Sequence, residues 1–180
     1  TTGDGAFYGI DAPWIAYTQY VANSNGSLTV GKSNRSTSSQ PIVGKQWVYG
    51  GLRMGGHSYY ALDLTHLADE KVDVADRKPV LKFHIQPEET VIAPDNTKTV
   101  KAKIINSAGT TSVEALSYMG QSWSKPTVAY VKFGGVKKLV MFVGGGYDAE
   151  YEKPSYDQNN KKGAGVYMFD AENGDLLWWS

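Results

Sequence analysis

Short segments in which apolar and polar residues alternate recur along the chain, and turn-forming residues separate them. Residues 59–63 (YYALD) and 166–170 (VYMFD) are the clearest examples, and each ends at an aspartate. Alternation with a period of two predicts β-strands. The one short helix that the sequence predicts covers residues 113–119. The pattern therefore predicts an all-β chain.

Six of these segments form a duplicated series. The first copy comprises residues 13–17 (PWIAY), 47–51 (WVYGG) and 59–63, and the second comprises 126–130 (PTVAY), 141–145 (MFVGG) and 166–170. The order holds although the loops differ in length, and it aligns Pro13 with Pro126, Trp47 with Met141 and Asp63 with Asp170. A fourth apolar segment follows each copy, at residues 80–85 and 176–179. Four antiparallel strands per repeated unit predict the blades of a β-propeller.

We therefore predict a fragment of a β-propeller with about two four-stranded antiparallel blades and loop insertions. Blade one covers about residues 8–85, an insertion covers 86–117, and blade two covers about 118–180. The Thr/Lys/Val segment at 97–105 is compatible with an extra hairpin inside the insertion. Propellers have typically about 4–8 blades, and repeat units do not bury their faces alone. The chain is thus expected to be part of a larger domain, with a compact two-sheet sandwich as the alternative.

The segment that closes the second copy, residues 165–178, is the most specific motif. Asp170 ends a strand and can accept N–H groups of the following turn, and Asn173-Gly174 suits a tight hairpin. Trp178 begins the return strand and is expected to pack between blades. This outline is similar to the docking motif of quinoprotein-dehydrogenase propellers, where it builds blades and does not hold the cofactor.

Composition narrows the classes of function. The 18 basic and 18 acidic residues cancel, so charge gives no reason to expect nucleic acid or an anionic membrane as partner. The chain has no cysteine, which excludes disulfides, thiolate metal sites and a cysteine nucleophile. No apolar run approaches the roughly 20 residues of a membrane helix, so no transmembrane segment is predicted. A serine nucleophile elbow, Gly-x-Ser-x-Gly, does not occur either.

Four segments together carry a resemblance to a known family: 8–13 (YGIDAP), 50–64 (GGLRMGGHSYYALDL), 120–126 (GQSWSKP) and 144–148 (GGGYD). The combination closely resembles the C-terminal β-propeller of the type IV pilus tip-associated adhesin and biogenesis family, the PilC/PilY group. The resemblance extends from about residue 8 to 179.

The resemblance implies a non-enzymatic protein at the pilus tip and the bacterial outer membrane surface, outside the cell. Its expected roles are pilus extension against retraction, twitching motility and attachment to host surfaces. The expected partners are pilus subunits or minor pilins and a host surface protein or glycan. The family's propeller carries a calcium loop that none of the 180 residues matches, so calcium is expected in the full-length protein, outside this fragment.

Two polar segments are the expected contact surfaces. Residues 22–40 form a Ser/Asn/Gly-rich loop that includes Asn25 and Asn34, and residues 147–163 form a second loop that includes Tyr147 and Tyr156. Acidic residues cluster in the second loop, and the metal-ligand candidates are Asp148, Glu150 and Asp157. Their spacing fits no dedicated calcium loop, and neighbouring lysines offset the charge, so a solvated loop is the favoured interpretation.

Several single residues have a structural and a functional interpretation. Arg53 lies in a Gly-rich turn and is expected to pair with a carboxylate or a carbonyl group, since no phosphate-loop motif follows. Core packing is favoured over sugar stacking for Trp14, Trp47 and Trp123. The three histidines, His57, His66 and His84, are not at metal-ligand spacing.

The alternative functions are a quinoprotein-type dehydrogenase propeller and a carbohydrate-binding, lectin-like module.

Overall fold

The structure, a computed structural model, describes residues 8–36, 41–67, 69, 71–155 and 162–180. Its regular structure within those ranges is antiparallel β-sheet with a few 3₁₀ helices, which confirms the all-β prediction. None of the described helices has the length and apolar character that a membrane crossing requires. The strands are β1 (Trp14–Gln19), β2 (Val21–Ala22), β3 (Leu28–Thr29), β4 (Lys32–Ser36), β5 (Pro41–Val43), β6 (Lys45–Gly51), β7 (Tyr59–Asp63), β8 (Val80–Ile92), β9 (Lys98–Asn106), β10 (Gly109–Ser112), β11 (Thr127–Phe133), β12 (Val136–Gly144), β13 (Val166–Asp170) and β14 (Leu176–Trp179). The 3₁₀ helices are Arg53–Gly55, Val74–Asp76, Glu114–Tyr118 and Ala149–Glu152.

Sheet one contains the first predicted series of strands and extends it. Its order is β1-β6-β7-β8-β9-β10, and every neighbouring pair is antiparallel. β8 runs well past the predicted end at residue 85 and pairs with β9, so the insertion continues the sheet. The register between β8 and β9 shifts between Gln86 and Glu89, where Pro87 has no N–H group to donate.

Sheet two is a four-stranded meander with the order β11-β12-β13-β14, as the second series predicts. Gly134 and Gly135 connect β11 to β12 and both have positive φ, at 58° and 83°. A two-residue hairpin turn with positive φ at both central residues matches the twist of the strands it joins, and glycine adopts this conformation without steric cost. The turn therefore fixes the register of the first hairpin of sheet two.

Two local predictions need correction. Residues 22–40 are not a plain solvated loop, because β2 pairs with β3 and β4 pairs with β5, and the two small hairpins lie between β1 and β6. Residues 37–40 lie outside the described ranges. The predicted helix at 113–119 is a 3₁₀ helix, Glu114–Tyr118, whose buried Leu116 contributes to the core.

A single apolar core lies between the two sheets. Its members from sheet one include Trp47, Tyr49, Tyr59 and Phe83, and those from sheet two are Leu139, Met141, Val143, Tyr167 and Phe169. Polar contacts accompany this packing: the Tyr49 hydroxyl donates to the Ala171 carbonyl at 2.7 Å, and the Tyr17 and Tyr130 hydroxyls hydrogen-bond at 2.9 Å. Burial, assisted by that second contact, raises the pKa of Tyr17 to about 12.

The turns after β7 and β13 show how the two units correspond. Asp63 Oδ1 accepts the N–H of Thr65 at 2.8 Å, and Asp170 Oδ1 accepts the N–H of Glu172 at 2.9 Å. The next residue bonds back to the second strand in both units, from Leu64 N to Gln46 O and from Ala171 N to Leu139 O. The sequence alignment of Asp63 with Asp170 therefore holds in space. The same bonds align Trp47 with Val140, one residue away from the sequence-based match to Met141.

Stacked aromatic pairs give the same correspondence. Tyr60 stacks on His84 across β7 and β8 with ring centroids 4.3 Å apart, and Tyr167 stacks on Trp179 across β13 and β14 at 6.0 Å. Tyr60 points away from the shared core, because its neighbours Tyr59 and Ala61 are the buried ones. Tyr167 points into the core. The two sheets thus meet through opposite faces of equivalent units.

Candidate binding surface

Part of each of the four segments that carry the family resemblance lies at one end of the two sheets, which we call the motif end. These parts are the residues before β1 (8–13), the β6–β7 loop (52–58), the residues before β11 (120–126) and the residues after β12 (145–148). β7, which also belongs to the 50–64 segment, runs from there to the opposite end. At this end β6 and β12 finish at Gly51 and Gly144, and β7 and β13 begin. The opposite end, which we call the turn end, holds Asp63, Asp170 and the hairpins between β1 and β6.

Ser122 lies at the centre of the motif end and is 1% exposed. Its hydroxyl accepts the N–H of Leu52 at 2.8 Å and is 3.1 Å from the Gly56 carbonyl, to which it donates. Its main chain donates to the same carbonyl, at 3.0 Å, and accepts the N–H of Arg53, at 3.2 Å. One serine therefore provides hydrogen-bond partners for main-chain groups on both sides of the β6–β7 loop, and it fixes the loop against the segment that leads into sheet two.

A second set of main-chain bonds joins the remaining segments. Gln121 and Tyr147 form an isolated antiparallel bridge, with N···O distances of 2.6 and 3.1 Å. This approach requires glycine: a Cβ on Gly146 would collide with the Gln121 carbonyl oxygen, and a Cβ on Gly55 would collide with that of Gly9. The glycines of the resemblance motifs thus allow four chain segments to pack main chain against main chain.

Arg53 lies beside these main-chain contacts and has an unusual backbone conformation. Its φ of 57° is left-handed, which a non-glycine residue adopts at an energetic cost. The guanidinium group lies over the Trp123 ring, 4.5 Å from its centroid, and Nη1 is 3.9 Å from Asp11 Oδ2. The predicted pairing with a carboxylate is thus present, and the stacking on an indole is an addition that the sequence did not predict.

Aromatic side chains continue the surface around Arg53. Trp123 is 37% exposed, and its ring centroid lies 5.3 Å from that of Tyr147, which in turn lies 6.4 Å from Tyr151. Trp123 Nε1 donates to Gln121 Oε1 at 2.9 Å, so the ring is oriented by the bridge segment. We call this surface the Arg53 patch; it consists of Asp11, Arg53, Trp123, Tyr147 and Tyr151. A fixed cation beside exposed aromatic faces suits recognition of a protein or sugar ring.

Tyr147 is the one predicted contact residue that the structure places in this patch. Its hydroxyl donates to Glu152 Oε1 at 3.2 Å, and partial burial followed by this bond raises its pKa. Asn25 and Asn34 lie at the opposite end of the sheets from this patch, in the hairpins between β1 and β6, and both are exposed. Their side chains hold local turns, since Asn25 Oδ1 accepts from Ser27 and Asn34 Oδ1 accepts from the Ser24 N–H. Tyr156 lies outside the described residues.

The metal-ligand candidates serve other purposes where they are described. Asp148 is buried and caps the 3₁₀ helix Ala149–Glu152, accepting the N–H of Glu150 at 3.0 Å. Glu150 pairs with Lys153 at 2.6 Å. Asp157 lies outside the described residues. Within the described part of the chain, no group of three or more His, Asp or Glu side chains is placed to hold a metal ion.

The other tryptophans and histidines have structural surroundings. Trp47 is 6% exposed in the core, with Lys82 Nζ 3.6 Å from its ring centroid, and Trp14 lies against Gly50 and donates to the Gly51 carbonyl. His57 Nε2 is 3.4 Å from Glu88 Oε2, yet burial outweighs that carboxylate and lowers the pKa of His57. Core packing is thus confirmed for Trp47.

Comparison with known proteins gives no match: no family model, curated protein or solved structure is significantly similar to the chain.

Sequence reasoning identified the segments of this surface but not how they meet. From the sequence, Ser122 stands only within a motif, Trp123 is predicted to pack in the core although it is 37% exposed, and Tyr151 has no distinguishing signal. The available signal was the glycine present in every segment, with adjacent glycines at 50–51, 55–56 and 144–146, since glycine permits close approach of main chains.

Proposed function

We propose that the chain is a two-blade portion of a β-propeller that acts as a binding and assembly scaffold at the tip of a type IV pilus. In this role it supports pilus extension, twitching motility and host attachment from the bacterial outer surface. Its partners are pilus subunits or minor pilins on one side and a host surface protein or glycan on the other. Calcium, where the full-length protein binds it, is held outside these residues.

The propeller part of the proposal is supported by the opposite faces through which the units meet. Successive blades of a propeller are related by rotation about one axis, so each blade presents its forward face to the rear face of the next. A two-sheet sandwich of equivalent units related by a two-fold axis would bury the same face twice. Tyr60 points outwards and its equivalent Tyr167 points inwards, which favours the propeller.

The observation that carries the binding role is the convergence of the four resemblance segments on the Arg53 patch. Glycines and Ser122 hold the main chains rigidly, while Arg53, Trp123 and Tyr151 remain at the surface. Rigid scaffolds that present exposed aromatic and arginine side chains are typical of recognition sites. The strained backbone of Arg53 fits the same interpretation, because strain concentrates at functional positions.

The test combines Arg53→Ala and Trp123→Ala in the protein of the producing bacterium. We expect attachment to host cells to fall about tenfold or more, the usual loss for a recognition hot spot, while the protein stays folded. Tyr20→Ala is the matched control, because Tyr20 is 62% exposed and lies at the turn end. Surface piliation, cell attachment and thermal unfolding are measured for each. Unchanged piliation and attachment in the folded double variant would contradict the proposal.

A carbohydrate-binding module is the second candidate, and the exposed ring faces of Trp123 and Tyr151 favour it. It predicts binding on a glycan array that depends on Trp123, and no such dependence for the buried Trp47. The pilus proposal with a protein partner predicts no glycan signal but the same loss of attachment. The two readouts together separate the candidates.

A further inference from the structure

Each of the two sheets has one face in the shared core and one outward face. The strand-by-strand correspondence between the sheets identifies, for each outward residue of one sheet, the equivalent residue of the other. The outward face of sheet two carries Val140, Phe142, Val166, Met168 and Trp178. The ladders align these with Trp47, Tyr49, Tyr59, Ala61 and Phe83, the side chains with which sheet one packs on sheet two. The outward face of sheet two is therefore the repeat of a face that already packs against another sheet in this molecule.

The outward face of sheet one is the complementary repeat. Tyr60, Leu62 and Val48 lie on it, and they are equivalent to Tyr167, Phe169 and Met141 of the buried face of sheet two. Leu81, opposite Leu62, is half exposed on the same face. The molecule thus presents both halves of its own inter-sheet contact, one on each outer side.

The outward face of sheet two contains exposed apolar residues. Val140 and Met168 are buried, whereas Val166 and Trp178 are 45% and 46% exposed. Their equivalents Tyr59 and Phe83 are completely buried against sheet two. A sheet placed over Val166 and Trp178 in the same way would remove a large apolar area from water, which is the main driving force of association.

We infer that the outward face of sheet two docks the outward face of sheet one of a second copy of this chain, head to tail. The contact repeats the internal one. Phe83 lies over the turn at Gly174, where a Cβ would be 2.6 Å from Phe83 Cγ. The strand pairing puts Trp178 in the place of Phe83, and counting four residues on from each aspartate puts the exposed Leu67 in the place of Gly174. Trp178 of one copy therefore lies beside Leu67 of the next.

The inference rests on the repeated-unit architecture of the proposed function but not on a role at the pilus. Because the two docking faces differ, the contact is heterologous. Such a contact generates rings or open chains, whereas a symmetric contact would generate closed dimers.

Self-association of the isolated 180-residue chain tests the inference. We expect light scattering and sedimentation to show concentration-dependent association, and Trp178→Glu to raise the dissociation constant about tenfold or more. Tyr20→Glu is the matched control, since it places the same charge at an exposed aromatic position of the turn end. A chain that stays monomeric up to millimolar concentration would overturn the inference and would leave the attachment experiment unaffected.

Engineered cysteines determine the orientation, because the chain has no natural cysteine. We expect a mixture of Trp178→Cys and Leu67→Cys chains to form a disulfide-linked heterodimer in preference to either homodimer. Predominant homodimers of either cysteine variant would overturn the head-to-tail contact in favour of a symmetric one.

Discussion

The two ends of the sheets are held together by different kinds of contact. At the motif end, main chains from four segments approach one another directly, with glycines where a Cβ would collide and Ser122 between them. At the turn end, side-chain carboxylates of Asp63 and Asp170 hold the turns, and two hairpins are inserted between β1 and β6. The difference indicates that the motif end requires a fixed shape and the turn end tolerates insertion.

The largest difference between the ends is expected from glycine substitutions. Gly146→Ala adds a Cβ that collides with the Gln121 carbonyl at a φ of 93°, and we expect a loss of about 3 kcal/mol or more in the free energy of unfolding. Gly26→Ala is the matched control at the turn end, where φ is 83° and the space is open. It is expected to cost about 1 kcal/mol. Denaturant unfolding measures both, and equal losses would show that crowding at the motif end is not what sets its rigidity.

Removing the Ser122 hydroxyl is expected to have the next largest effect. Ser122→Ala leaves the partly buried N–H of Leu52 without its acceptor and deprives the Gly56 carbonyl of one of two donors, at a cost of about 2 kcal/mol. Asp63→Ala at the turn end removes one bond to the Thr65 N–H and is expected to cost about 1 kcal/mol. Hydrogen exchange of the 52–58 loop should rise only in the serine variant. Unchanged exchange there would contradict the role given to Ser122.

The strands and turns could be predicted from the sequence because their signals are local. Alternation marked β1, β6, β7 and the strands of sheet two, and Asp170 with Asn173-Gly174 predicted a turn that the structure contains. The pairing of β2 with β3 and of β4 with β5 was missed, since Ser- and Asn-rich segments resemble loops even when side-chain bonds order them. The Arg53 patch could not be predicted, because its members are distant in sequence and meet through glycines that give no indication of their partners.

The alignment of the two units shows a further limit. Paired glycines suggested that Trp47 matches Met141, but the main-chain bonds of Leu64 and Ala171 shift that match by one residue. In a strand a shift of one residue moves every side chain to the opposite face. The match of Trp47 with Met141 would therefore place the same face of β6 and β12 in the core, whereas the match of Asp63 with Asp170 gives β7 and β13 the opposite faces that the structure contains.

The smallest expected effect is a pH dependence of the free energy of unfolding that comes from His84 of β8. His84 lies near the motif end of sheet one, where it stacks on Tyr60 and hydrogen-bonds to Ser58 at 3.0 Å. Burial, followed by the charge of Lys103, lowers the pKa of His84 below its usual value near 6.5, so the folded protein binds this proton less readily than the unfolded chain does. Stability is therefore expected to decrease as pH falls from about 7 through 6.5 and to level off below the folded pKa. His57, whose pKa is lowered by burial, contributes in the same direction. His84→Gln should reduce the slope of unfolding free energy against pH in this range. A slope that stays the same in His84→Gln would show that the pH response does not come from this histidine.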